Sequence, residues 1–196
     1  MRQLIFVILL TLVNFTIAFG QDTYLEKGNT YLNNNEFDKA EQTFSDGIKA
    51  NPTNLIYQCQ LGLSLVKQKR FSDAEKIFVE VLAIDSIDVA AIWYSGIGNF
   101  YAEQDKQAIS RFEKALTLLN KESGQYYSAN WFIGTCYSNL LKKDGLTYAE
   151  TERMFECYEE YLKLQPNAKD AEKIKEYVER KKKRRPSSNV LRWIDR

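Results

Sequence analysis

Polar and apolar positions along this chain fall into units that repeat. Gly28, Gly62 and Gly96 are evenly spaced, and Ala40, Ala74 and Ala108, then Phe44, Phe78 and Phe112, keep the same interval. A period of this length, about 34 residues, marks a stack of supersecondary units, each too small to bury its apolar face alone. Between Gly and Ala each unit carries a polar turn: Asn33-Asn34-Asn35 before Glu36, Lys67-Gln68-Lys69 before Arg70, and Glu103-Gln104-Asp105 before Lys106. The pattern predicts two short amphipathic helices per unit, joined by that turn. Gly on the first helix and Ala on the second are small where antiparallel helices must approach closely. Phe, one helical turn after Ala, lies on the same helical face and fills the space between them. Pro52 ends the second helix of the first unit, because it lacks the backbone donor a continuing helix needs.

These positions resemble the tetratricopeptide repeat (TPR) family. Gly28, Tyr31, Ala40, Phe44 and Pro52 match its pattern in the first unit, Leu61, Gly62, Ala74 and Phe78 in the second, and Gly96, Ala108, Phe112 and Ala115 in the third. A fourth unit is imperfect. Gly134, Tyr137 and Pro166 match, but Gly134 and Pro166 stand farther apart in the chain than Gly28 and Pro52 do. The inserted residues are expected in the turn at 142–147, and Met154 and Tyr158, standing where Ala and Phe stood, predict looser or different packing. From Ala168 to Arg185 a further helix carries Ala171, Ile174 and Val178 on one face, as a cap on a solenoid would. The expected fold is all-α: an α-solenoid of about four TPR-like helix pairs over 21–167 (units 21–54, 55–88, 89–122 and 127–167), a capping helix over 168–185 and a tail over 186–196.

The segment before the repeats has a different character. Arg2, the apolar run Leu4 to Val13 and the small residues in Ala18-Phe19-Gly20 read as a signal peptide cleaved after Gly20. An uncleaved signal anchor in the inner membrane is the alternative. Beyond Gly20 no Asn other than Asn51 has Ser or Thr two positions on, and Asn51 precedes Pro52, so the chain lacks a glycosylation acceptor. Export to a bacterial periplasm or beyond is the expected localisation. The 196 residues include no His and three Cys, which removes the commonest general base and metal ligand. Residues 21–167 carry 15 basic and 21 acidic side chains and 168–196 carry 11 and 5: an acidic body bears a basic tail.

No catalytic set emerges. Gly96-Ile97-Gly98 lacks the third glycine and preceding strand of a dinucleotide fingerprint, Cys59, Cys136 and Cys157 have no His partner, and Glu159-Glu160 point in different directions. No cofactor, no metal and no nucleic-acid partner are expected. The expected function is that of a non-enzymatic scaffold binding a protein or peptide on the face of the first helices. That face carries Leu25, Asn29 and Leu32; Cys59, Leu63 and Val66; Trp93, Ile97 and Phe100; Trp131, Thr135 and Ser138. Candidate contacts are Cys59, Leu63, Trp93, Ile97, Phe100, Tyr101 and Trp131, with the two Trp residues as rigid anchors; the same stripe would equally serve to bury adjacent first helices against each other. The family's clamp for a peptide carboxylate is not expected here, since Leu25, Gln60, Ala90 and Tyr94 stand at its places and Asn29 alone fits.

A second reading assigns function to Arg180, Lys181, Lys182, Lys183, Arg184 and Arg185, which could touch an anionic membrane surface or simply favour the C-terminal end of a helix dipole. Val190, Leu191, Trp193 and Ile194 form an apolar cluster that either docks on its own solenoid or waits for a partner, a frayed terminus being the commoner outcome for such a segment. Cys136 and Cys157 are close enough in the pattern for a bond, but buried thiols are the expectation.

Overall fold

The computed structural model describes residues 23–195, so the candidate signal sequence lies outside the described residues. Those residues form nine α-helices and no strand. They divide into two compact units, one ending at Ser86 and one beginning at Ile87. The first holds α1 (residues 23–33), α2 (Phe37–Ala50), α3 (Leu55–Lys67) and α4 (Phe71–Ile84). The second holds α5 (Val89–Tyr101), α6 (Asp105–Leu118), α7 (Gly124–Lys143), α8 (Tyr148–Leu164) and α9 (Ala171–Arg184). Within each unit consecutive helices pack on one another. No described helix is long and apolar enough to cross a membrane.

Two kinds of helix start alternate. First helices α3, α5 and α7 begin at a side-chain cap: Asn54 accepts from the Ile56 amide, Asp88 from Ala91 and Ser123 from Tyr126. Each supplies an acceptor to an otherwise orphaned amide. Second helices α2, α4 and α6 have no such cap. They leave instead from a turn in which Asn35, Lys69 and Glu103, spaced at the repeat interval, adopt positive φ of 60°, 63° and 57°. The next amide then donates back into the first helix, Glu36 to Tyr31, Arg70 to Leu65 and Gln104 to Asn99, at 2.8, 2.9 and 2.9 Å. This Schellman closure satisfies the last carbonyls of the first helix and fixes the reversal. The short polar turn residues seen in the sequence are the ones that tolerate it in the first unit; Lys69 and Glu103 adopt it against their preference.

Packing across each pair follows one rule. A Cβ at Gly62 would lie 2.6 Å from Phe78 Cζ, at Gly96 2.8 Å from Phe112 Cε1, and Gly28 faces Phe44 in the same way. The glycine is a socket for the ring of the partner helix, and Phe44, Phe78 and Phe112 are fully buried. Each such ring contributes about 1.5–3 kcal/mol by removal from water. In the first unit Ala40, Phe44 and Tyr57 form the buried centre, with Tyr24, Leu25, Tyr31, Leu32, Ile48 and Leu61 packed around it.

The fourth pair corrects two expectations. Its extra residues hardly enlarge the turn, which runs over 144–147 against 34–36 in the first pair: nearly all of them lengthen the two helices. The positive-φ residue comes about one helical turn later after the socket glycine here, Gly134 to Gly145, than in the first pair, Gly28 to Asn35, and α7 continues to Lys143. On the other side α8 starts at Tyr148, further ahead of Tyr158 than Phe37, the start of α2, is of Phe44. The added turn on each helix buries its own apolar side, Leu140, Leu141 and Thr151, and a Thr147–Glu150 capping box starts α8. Nor is the pair packed differently. Tyr158 fills the Gly134 socket, 2.8 Å from a Cβ placed there, and Met154 is fully buried.

Candidate functional site

In the second unit four aromatic rings meet Phe132 of α7, and a fifth, Tyr101, joins through Phe100. Phe132 stacks on Phe112 at 4.7 Å with 3° between planes, and meets Phe100, Trp131 and Trp93 edge-on at 4.8, 5.2 and 6.2 Å. Trp93 also meets Phe112 edge-on at 5.4 Å, and Tyr101 meets Phe100 at 5.4 Å. Edge-to-face geometry at these separations is attractive beyond area burial. This arrangement overturns Trp93 as an anchor for a partner. It is 9% exposed, held between the second helix of its own pair and the first helix of the next.

Trp131 is not a free anchor either. Its indole Nε1 donates to Asp170 Oδ2 at 2.8 Å, and the Tyr161 hydroxyl donates to the other oxygen at 2.7 Å. Burial and then the Asp170 carboxylate push the Tyr161 phenol above its ordinary pKa. Further along α7, Ser138 donates to the Tyr177 hydroxyl of α9 at 2.8 Å. The stripe on first helices in this unit therefore packs successive helices together, the second of the two roles the sequence left open. Phe100 is half-buried in that cluster. Cys59 is buried at 2% and can touch no partner, while Leu63 is half-buried, both in the first unit. What remains available in the second unit is Tyr101, 60% exposed, with Ile97 half-buried one helical turn before it.

The basic run is mostly engaged within the chain. Lys181 pairs with Asp195, Lys182 with Glu159 and Arg185 with Glu152, and Arg184 reaches Asp195 at 2.9 Å. Arg180 lies over the Tyr177 ring at 5.8 Å. Lys183, with Arg180 and Arg184, borders a shallow surface shared with Glu176 and Glu179. The tail docks on its own unit rather than fraying: Leu146 and Trp193 form an antiparallel bridge.

Cys136 and Cys157 are buried, and no disulfide links them. Burial, and then the Asp105 carboxylate, push the Cys136 thiol up; burial pushes Cys157 up to about 12. Asp105, itself buried, accepts from Asn139 Nδ2 at 3.0 Å across α6 and α7. Among the described residues no group of three His, Cys, Asp or Glu side chains could hold a metal ion. Phe132, the hub of the cluster, was missed in the sequence because its place in the repeat, two before the socket glycine, is Glu26, Gln60 and Tyr94 in the other units.

The profile of the family described as Tetratricopeptide repeat matches residues 21–54. The TPR repeat-containing protein MJ1428 of Methanocaldococcus jannaschii is 25% identical over 154 residues, 70% of this chain. The chain spans a quarter of that relative's length. Among solved structures, pilF of Pseudomonas aeruginosa superposes with a TM-score of 0.70 at 15% identity, over 86% of this chain and 72% of that one. MamA superposes with a TM-score of 0.65 at 21% identity, over 80% and 84%. At such identities the likeness speaks for the fold. The chain carries a tetratricopeptide repeat, and its fold is that of the all-α tetratricopeptide solenoids.

Proposed function

We propose that this chain is an exported, non-enzymatic scaffold that binds a protein or peptide through the exposed side of α5, with Tyr101 and Ile97 as the contact. The fold brings no chemistry of its own, and helix-pair solenoids serve as protein-interaction scaffolds. The observation that carries the reading is Tyr101: a large ring 60% exposed, buttressed by Phe100 at 5.4 Å and thus by the whole aromatic cluster. A ring held from behind loses little entropy on contact, and Ile97 lies on the same helical face one turn earlier. Export rests on Arg2, the apolar run Leu4 to Val13 and Ala18-Phe19-Gly20.

The test places a photo-crosslinking phenylalanine derivative at position 101 or, as a control, at the exposed Val79 of the first unit, in the native host. The same partner should crosslink from 101 and not from 79. Tyr101→Ala should leave melting unchanged and weaken binding of that partner by about 2 kcal/mol, roughly thirtyfold. Equal crosslinking from both positions, or unchanged affinity of Tyr101→Ala, defeats the assignment.

A further inference from the structure

In the first three turns the amide after the positive-φ residue donates back into the first helix; in the fourth that return bond comes from Gly145 itself, to Leu140 at 2.8 Å, and the amide after it is left to another partner. After Gly145 (φ +76°) the next amide, Leu146, donates to the carbonyl of Trp193 at 2.8 Å rather than back into α7. The Trp193 amide returns the bond to the Leu146 carbonyl at 2.7 Å, and Asp195 donates to Leu141 at 3.3 Å. Arg192 adds bonds to the carbonyls of Asp144 and Gly145 at 3.1 and 2.9 Å. The lengthened helices of the fourth pair thus present a short backbone edge, and an extended segment is paired with it. Approach is so close that a Cβ on Gly145 would stand 2.7 Å from the Trp193 carbonyl.

Side chains of the segment enter two places. Trp193 lies half-buried among Leu146, Tyr148, Thr151, Pro186 and Val190. Asp195, 6% exposed, is met by Lys181 and Arg184. Lys181 is itself 6% exposed, and burial together with Arg184, Arg180 and Lys142 disfavours its charge. A buried ammonium among cations needs a carboxylate against it. The rest of the segment is loosely held: Leu191 is 92%, Ile194 44% and Val190 39% exposed, and Pro186 to Asn189 link it to α9 without helical structure.

We propose that this edge, with Lys181 and Arg184, is a binding site for an extended peptide of a partner protein carrying a tryptophan and, two positions later, a carboxylate. Residues 190–195 are its intramolecular occupant and hold it closed. Main-chain pairing to the edge gives affinity, and the ring bed and the cation pair give selectivity. A segment that leaves strands the buried backbone of Leu146 and the charge of Lys181, so the open site favours any peptide restoring the same groups. A tethered occupant competes at an effective concentration in the millimolar range. The site is independent of the α5 surface.

The probe is a labelled synthetic peptide with the sequence of residues 187–195, titrated into the full-length chain. Asp195→Asn, which weakens the occupant, should bind it at least tenfold more tightly than wild type. Adding Lys181→Met to that variant, or changing the peptide's aspartate to asparagine, should remove the gain. An Asp195→Asn chain with wild-type helicity that binds no better than wild type overturns the proposal. Hydrogen exchange on the wild-type chain is a second measure that no variant can spoil by misfolding. The Leu146 and Trp193 amides should exchange at least tenfold faster than those of Met154 and Phe155 in α8; equal protection makes the segment a fixed part of the fold and also overturns it.

Discussion

Gly62→Ala sets two opposing effects against each other at one carbon atom. In a solvated helix interior the change stabilises by about 1 kcal/mol, since alanine has less backbone freedom to lose. Here the new methyl would stand 2.6 Å from Phe78 Cζ and closer still to Cε1, where carbon atoms settle at roughly 3.5–4.0 Å. Phe78 is fully buried, so relief requires α3 and α4 to part by about 1 Å or the ring to leave its rotamer. Overpacking of this kind costs about 1–3 kcal/mol. With the ring atoms this close the upper end applies, and the net loss should be about 2 kcal/mol. Gly96→Ala, with its nearest atoms at 2.8, 3.0 and 3.1 Å, should lose about 1 kcal/mol or less by the same comparison. Gly124→Ala, whose nearest neighbour is Tyr127 at 3.4 Å, should be neutral or slightly stabilising. Urea unfolding followed by helical circular dichroism reads all three. Shortening the ring in the same chain, Gly62→Ala with Phe78→Leu, should recover at least about 1 kcal/mol of the sum of the single losses. Equal stability of Gly62→Ala and Gly124→Ala, or additivity in the double variant, would refute the socket as the cause of the repeated glycine.

Three further outcomes follow from burial. Trp93→Ala should cost about 3–4 kcal/mol and lower the melting temperature clearly; unchanged melting would return Trp93 to the surface. Cys136 and Cys157 should resist a thiol reagent at pH 8 in the native chain and react in denaturant, because the fold holds both thiols neutral. With the folded pKa of Cys157 raised from 9.0 to about 12, its contribution to stability is complete below the ordinary thiol value. That contribution is lost as pH rises from there toward 12. Alkaline titration of Cys157→Ala should therefore show a shallower loss of stability over that window; an identical slope counts against the assignment.

The regular interval made three helix pairs legible, because Gly, Ala and Phe at fixed spacing have one geometric use: a ring in a socket between antiparallel helices. The fourth pair was legible only in its socket. Its extra residues look like a loop when counted against the repeat, yet Leu140, Leu141 and Thr151 continue the buried side of α7 and α8, and helices lengthen wherever that side persists. Trp93 and Trp131 lay beyond sequence reasoning for another reason. A stripe at helical spacing is the same whether it faces a partner or the next helix, and Phe132, which decides between them, occupies a place with no repeat signal. The pairing of Leu146 with Trp193 joins distant parts of the chain through two backbone bonds, and backbone bonds leave no mark in side-chain pattern.

Equal spacing of the first three sockets makes the chain divisible. A block cut from one positive-φ turn to the next, residues 36–69, could be removed or copied, and each remaining glycine would still meet a phenylalanine, Gly28 then facing Phe78 in place of Phe44. The fourth pair is excluded from this exchange. Its longer helices put Tyr158 farther along the chain from Gly134 than Phe44 is from Gly28, so a junction inside that pair leaves a socket without its ring. The sockets upstream of α7 are thus compatible with the removal or duplication of such a block, whereas a cut between Gly134 and Tyr158 is not.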